Sequence, residues 1–229
     1  MIAVILGAGG ALGSLLAENL AVLRRRAGRR VLLVDAAPAQ DCRAWARARA
    51  AAHLRPLPDV LALRGMGFGE RLQRALGRHH DVLVGAGSCD EAECRAALAA
   101  AQLAIVPIAA GDADPARHYR LIARLNAARM GNPGLRVLFA AVSEDGTLAP
   151  GGLARVRAYA REVMGGRVAQ AVLPAAALGA AGGAAGGCAC DGDAPAAGAA
   201  LAVLCGEAFA GPRALCGPRD CDRAQTVQG

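Results

Sequence analysis

The sequence of 229 residues contains no lysine, because all 26 of its basic side chains are arginine. Common phosphate-binding loops use a lysine to reach the phosphates of a nucleotide. The absence of lysine therefore excludes a complete loop of that type anywhere in the chain.

Aromatic residues are also scarce, at 3% of the chain, whereas 55% of the residues are apolar. Alanine and glycine dominate, so the core must be built from small aliphatic side chains. A chain of this length buries one substantial α/β core. No stretch has the character of a membrane span, and no basic segment precedes the first apolar run as in a signal peptide. We expect one cytoplasmic domain without a membrane partner.

The basic side chains outnumber the 19 acidic ones and give a formal charge of +7. Such a balance favours weak, salt-sensitive contact with nucleic acid, because arginine pairs well with phosphate. Five arginines cluster at the far end of the first predicted helix, where the helix dipole favours cations. They are Arg24, Arg25, Arg26, Arg29 and Arg30.

A glycine cluster follows the first apolar run of the chain. Residues 1–6 predict a strand, the glycines a tight loop, and residues 15–23 a helix. Amide groups at such a helix start favour a bound anion. The candidate nucleotide-binding residues are Gly7, Gly9, Gly10, Gly13, Ser14 and Asp35.

Two nucleotide-binding signatures compete for this loop. In the pattern G-x-x-x-x-G-K-[ST], Gly7 and Ser14 match, but Leu12 and Gly13 stand where glycine and lysine belong. In the dinucleotide pattern, Gly7 and Gly13 match at a spacing one residue too long, and Asp35 is placed to bind a ribose hydroxyl. A tight turn without any ligand is the third alternative.

Apolar runs and helical patterns alternate along the rest of the chain. The helices include residues 40–52, which contain Trp45, and residues 115–129. In the second helix Pro115 is predicted to occupy the first turn, after Asp114 as the N-cap. This alternation predicts a three-layer αβα fold with a mostly parallel central sheet and with ligand sites at the carboxyl ends of its strands.

The predicted domain organisation has four parts. Residues 1–174 form the α/β domain, and residues 175–196 form an Ala/Gly-rich flexible linker. Residues 197–210 form a helix that completes the domain, and residues 211–229 form a disordered tail with cysteines. Five of the eight cysteines lie in the final 42 residues, at spacings that match no standard zinc site.

Several segments, in this order, resemble the ParA/MinD family of deviant Walker-type P-loop ATPases. The family's V-D-x-D-P-Q strand end and following tryptophan helix are matched by Val34-Asp35-Ala36-Ala37-Pro38 and Trp45. Its V-P-V strand end resembles Val106-Pro107-Ile108, and its N-P-G-L-R segment stands at residues 132–136. The resemblance runs from Met1 to about Leu173 and implies a P-loop NTPase-like fold.

The departures from the family fall on its chemistry. The signature lysine falls on Ala8 and the second lysine on Gly13, while the metal-binding hydroxyl is kept as Ser14. The family's second aspartate falls on Ala37, and its Walker B aspartate on Gly85 or Val84. Asp35 alone remains near a Mg²⁺ position, so no firm metal site is expected. Phosphoryl transfer needs positioned cations and metal, and their loss predicts no hydrolysis.

The resemblance and its departures together predict a partitioning or positioning protein that is a pseudo-ATPase. It would bind ATP or ADP weakly, require no cofactor, and contain no catalytic residue. Its partner would be another protein, a second copy, or an active relative. The alternative is an oxidoreductase that binds NAD(P) or a flavin nucleotide, although the chain lacks the lysine that short-chain reductases pair with tyrosine.

Overall fold

The fold is described from a computed structural model that covers residues 1–7, 11–87, 91–181, 185–192 and 194–210. The strands are β1 (Ile2–Ile5), β2 (Val31–Asp35), β3 (Asp59–Ala62), β4 (Asp81–Gly85), β5 (Leu103–Ala109), β6 (Arg136–Ser143) and β7 (Gly166–Pro174). The helices are α1 (Leu12–Arg26), α2 (Asp41–Ala51), α3 (Phe68–Leu76), α4 (Ala92–Ala100), α5 (Tyr119–Gly131), α6 (Gly152–Arg161), α7 (Ala175–Ala181) and α8 (Pro195–Phe209).

Within these ranges all seven strands join one parallel sheet in the order β3-β2-β4-β1-β5-β6-β7. The central strands β1, β2 and β4 are buried throughout, because helices cover both faces of the sheet. Their uninterrupted runs of Val, Leu and Ile are typical of that environment. The fold class predicted from the sequence is confirmed.

Two hydrophobic cores lie on opposite faces of the sheet. On one face, α3, α4, α5 and α6 supply side chains such as Leu72, Leu98 and Leu125. On the other face, α1, α2, α7 and α8 supply side chains such as Leu20, Trp45 and Leu201. Many of the other buried side chains in the two cores are alanines, as the composition of the chain requires. None of the helices in the described ranges has both the length and the apolar character needed to cross a bilayer.

Two described parts of the segment expected as a flexible linker have defined structure. Residues 175–181 form helix α7, whose Leu178 is fully buried, and residues 185–192 pack on α2, where Nε1 of Trp45 donates a hydrogen bond to the Gly187 carbonyl at 2.8 Å. Gly186 has a φ of +71°, and a Cβ there would lie 2.1 Å from the backbone nitrogen of Arg49. Gly186 thus allows close packing onto α2. The predicted tail at residues 211–229 lies outside the described residues.

The helix predicted to begin at residue 115 begins four residues later, at Tyr119. The Asp114 carboxylate accepts a hydrogen bond from the Ala116 amide at 2.9 Å and closes a local turn. This short-range bond competes with the predicted capping role, because aspartate stabilises such turns as well as helix starts.

Candidate functional site

The glycine loop joins β1 to α1 at the carboxyl edge of the sheet. A Cβ at Gly13 would lie 3.0 Å from the backbone nitrogen of Gly7 and 3.3 Å from its Cα. Gly13 therefore lets the first turn of α1 approach the end of β1, as the third glycine does in dinucleotide-binding loops. The structure brings these two predicted residues into contact. Ala8, Gly9 and Gly10 lie outside the described residues.

Ser14, the predicted metal-binding hydroxyl, is turned towards α2. Its side chain lies near the thiol of Cys42, which is 1% exposed, and acts on the pKa of that thiol. Burial raises the pKa of Cys42 far above its usual range, and the nearby carboxyls act in the same direction. The thiol therefore stays protonated, and Ser14 beside it is half-buried.

Glu18 lies one helical turn after Ser14 and completes this buried cluster. Glu18 is 2% exposed, and its carboxyl lies near the Cys42 thiol, which opposes the effect of burial on its pKa. Burial raises the pKa of Glu18 to about 8, and the negative charge of Asp41 adds to the effect. Among the described residues, Oε2 of Glu18 has no hydrogen-bond partner. The sequence analysis missed Glu18, although its spacing of four residues from Ser14 indicates the same helix face.

Asp35 ends β2 and is 1% exposed. Its Oδ1 accepts a hydrogen bond from the Ala37 amide at 3.2 Å, and its Oδ2 accepts one from the Arg43 amide at 3.0 Å. Burial raises the pKa of this carboxyl, while these backbone bonds oppose the rise. Asp35 therefore joins β2 to the start of α2. Both of its oxygens already serve backbone donors.

The turn after β4 closes against the turn after β2. A Cβ at Gly87 would lie 3.1 Å from the Cβ of Ala37, which is 7% exposed. Ala37 is the residue on which the resemblance to the ParA/MinD family places the second aspartate, and the structure packs its methyl group beside Gly87. Residues at the end of β4 carry no acid either, since the strand finishes at Val84 and Gly85.

The acid of β4 lies at the opposite edge of the sheet. Asp81 begins the strand and pairs with Arg24 at 2.8 Å and with Arg29 at 3.3 Å. Part of the arginine cluster is therefore an ion-pair network around a buried carboxylate, far from the glycine loop. Within the described ranges, no three His, Cys, Asp or Glu side chains are placed to hold a metal ion.

The strand order argues against the alternative that the glycine loop and Asp35 bind a dinucleotide. Dinucleotide-binding folds have the order 3-2-1-4-5-6, so their glycine loop and ribose-binding acid follow neighbouring strands. Here β4 lies between β1 and β2, which separates the two strand ends by two spacings, or about 9.6 Å. With both oxygens of Asp35 in use, the nicotinamide or flavin site is not favoured.

Comparisons with known proteins show what this architecture is similar to. No protein-family model matches the sequence, and no curated protein matches it. An ATP complex of a McdA variant from Cyanothece aligns with a TM-score of 0.65 and 14% identity, covering 90% of this chain and 95% of that one. The MinD cell division protein of Aquifex aeolicus aligns with a TM-score of 0.64 and 13% identity, over the same shares of the two chains.

A third solved structure is more distant. Cobyrinic acid a,c-diamide synthase from Mycobacterium smegmatis, with a bound ATP analogue and magnesium, aligns with a TM-score of 0.53 and 16% identity. The alignment covers 69% of this chain and 78% of that one. At such identities the likeness establishes architecture. The chain has the P-loop NTPase-like α/β fold of MinD and McdA, as its resemblance to the ParA/MinD family implies.

Proposed function

We propose that this chain is a ParA/MinD-like positioning protein that has lost ATP hydrolysis and acts by binding other proteins. The observation that carries the proposal is that Asp35 serves the protein's own backbone, because its two oxygens accept hydrogen bonds from the Ala37 and Arg43 amides. Ser14 lies half-buried beside the Cys42 thiol. These are the two groups that the sequence keeps at the family's metal position.

The energetic argument concerns the transition state of phosphoryl transfer. Each charge-assisted hydrogen bond contributes about 1.5–3 kcal/mol, and an ATPase combines several with a bound metal. This chain has neither lysine of the family loop, and Ala37 stands in place of the second aspartate. Three or four such losses together remove enough stabilisation to abolish useful turnover.

Nucleotide binding is a separate part of the proposal. The McdA variant and the synthase were crystallised with ATP or an analogue. In this chain the first turn of α1 has no acidic residue, and its amides at the glycine loop favour an anion. We propose that ATP or ADP binds there weakly and that the protein requires neither nucleotide nor Mg²⁺.

The partner in this proposal is another protein: a second copy or an active relative of the same fold. Arginine contacts with nucleic acid would be weak and would disappear as salt rises. Light scattering on the purified chain, with and without Mg²⁺ and ATP, tests whether self-association depends on nucleotide. The molecular mass should be the same under the two conditions, whereas dimerisation that depends on ATP would contradict the proposal.

Phosphate release tests the loss of hydrolysis directly. The purified chain with Mg²⁺ and ATP should release phosphate at the rate of buffer alone, and Ser14→Ala should not differ from it. Thr147→Ala is the matched control, because its hydroxyl bonds only the nearby Asp145. Turnover that needs Mg²⁺ and disappears in Ser14→Ala but not in Thr147→Ala would overturn the proposal.

A further inference from the structure

The turn from Cys188 to Asp191 holds two cysteines side by side. The Asp191 amide donates to the Cys188 carbonyl at 2.9 Å, and the Cys188 amide donates to Asp191 Oδ2 at 2.9 Å. Cys188 and Cys190 are therefore the first and third residues of a closed β-turn. A disulfide needs Cα atoms about 4.4–6.8 Å apart, and two residues so placed in a turn meet this requirement.

The two thiols differ in exposure. Cys188 is 1% exposed, whereas Cys190 is partly open to solvent. The β-turn keeps the two side chains near each other, and each is close enough to shift the pKa of the other. The outer thiol is therefore accessible to a small reagent while the inner one is not.

Charged groups from α1, α2 and the turn itself surround Cys190. Arg26 at the end of α1 donates to the Cys190 carbonyl at 2.6 Å, and Arg49 of α2 pairs with Asp191 of the turn. The pKa of the Cys205 thiol in α8 also responds to Cys190. The pKa of Cys190 is lowered to about 7, first by its interaction with Cys188 and then by Arg26 and Arg49, while burial and Asp191 oppose the fall. The interaction with Cys190 raises the pKa of Cys188.

We propose that Cys188 and Cys190 are a redox-active dithiol, which small-molecule disulfides oxidise to an intramolecular disulfide. Nothing in this site depends on the nucleotide chemistry proposed above. It lies beyond the far end of α1 from the glycine loop, on the ion pairs that Asp191 makes with Arg26 and Arg49.

The reaction proceeds in two exchange steps. The Cys190 thiolate attacks one sulfur of the small disulfide, forms a mixed disulfide and releases one thiolate. The Cys188 sulfur then attacks Sγ of Cys190, breaks the mixed disulfide and releases the second thiol, which takes the Cys188 proton. One small disulfide is reduced to two thiols while the protein dithiol loses two electrons and two protons.

Glutathione buffers test the proposal on the full chain. After incubation, acid quenching and alkylation, cleavage before aspartate yields the fragment 145–190, which contains Cys188 and Cys190 as its only cysteines. Oxidising buffer should leave this fragment two hydrogens lighter and unalkylated. Cys205→Ser, the matched control, should behave in the same way.

Two variants separate the roles of the cysteines. Cys188→Ser should stop at the mixed disulfide and carry one glutathione on Cys190, whereas Cys190→Ser should remain reduced. A bond from Cys190 to Cys205, or to a cysteine of the tail, would overturn the proposal. So would the absence of glutathione on Cys188→Ser.

The wild-type chain provides a test that needs no variant. Alkylation of Cys190 by iodoacetamide should have its midpoint near pH 7, and Arg26→Gln should move the midpoint to higher pH. A midpoint at about 8.5, the value of an ordinary cysteine, would contradict the assignment of Cys190 as the attacking thiolate.

Discussion

Arg49 and Asp191, which are 142 residues apart in sequence, form a bidentate ion pair. The Arg49 side chain is fully buried, and its Nη1 and Nη2 lie 2.5 Å and 3.0 Å from the two Asp191 carboxylate oxygens. It also donates to the Pro56 and Gly186 carbonyls. This pair fixes the turn that carries Cys188 and Cys190 onto α2.

Removal of the Asp191 charge should be strongly destabilising. Asp191→Asn leaves a buried guanidinium without its counter-ion, which costs about 3–5 kcal/mol of unfolding free energy. The change in unfolding free energy is measured by urea denaturation, with the fluorescence of Trp45 as the probe of unfolding. The matched control is Glu91→Gln, whose partner Arg64 is exposed, and it should cost less than about 1 kcal/mol. Equal costs for the two variants would contradict the assigned role.

A methyl group at Gly13 should also destabilise the fold. Gly13→Ala places a Cβ 3.0 Å from the Gly7 nitrogen, and overpacking of this kind costs about 1–3 kcal/mol. Gly206→Ala is the control, because that glycine lies inside α8 with nothing within 4 Å of the new Cβ. It should stabilise the protein by about 0.5–1 kcal/mol. Stability that is unchanged in Gly13→Ala would show that the loop opens easily.

The buried carboxyl of Glu18 predicts a fall in stability as pH rises. Its folded pKa of about 8 is above the unfolded value of 4.5, so the folded protein binds the extra proton between those values. The unfolding free energy contributed by Glu18 is fully present below pH 4.5 and is lost as pH rises towards 8. The loss amounts to roughly 2–5 kcal/mol.

Glu18→Gln removes this titration while keeping the shape of the side chain. Urea midpoints at pH 5.5 and pH 8 should differ less in the variant than in wild type, and at pH 8 the variant should be the more stable of the two. Identical pH dependence in both proteins would show that the Glu18 carboxyl is not the group that titrates.

Asp35 should act on stability without any ligand. Asp35→Ala removes the bond to the Arg43 amide in the first turn of α2 and the bond to the Ala37 amide before it, and the loss of such a cap costs about 0.5–2 kcal/mol. Asp41→Ala, at the exposed first position of the same helix, should cost less than that. Differential scanning fluorimetry with and without ATP or NADH checks the result. A cost that appears only when nucleotide is present would assign Asp35 to a binding site.

The strands and most helices could be predicted from the sequence because their signals are local. Buried runs such as Val31–Asp35 and the glycine loop before α1 identify their elements without help from distant residues. The helix over Ala175–Ala181 was missed because its Ala/Gly composition resembles a linker. Alanine is the strongest helix former, and one buried leucine, Leu178, anchors the segment in the core.

The site was harder to predict because its partners come from separate elements. The loop and Asp35 were found from their motifs, but the position of Ser14 beside Cys42 depends on how α1 packs against α2. Glu18 appears in sequence as one polar residue in a helix. Its burial, and therefore its raised pKa, follows only from the completed fold.

Weak nucleotide binding follows from the proposal, because Asp35 at the carboxyl edge of the sheet already bonds two amides of the protein itself. The most direct test is the unfolding free energy of the wild-type chain with 5 mM ATP and Mg²⁺. Weak binding predicts a gain below about 0.5 kcal/mol, because stabilisation depends on the ratio of ligand concentration to Kd. A gain of about 2.7 kcal/mol, which corresponds to ligand at a hundred times its Kd, would contradict the claim.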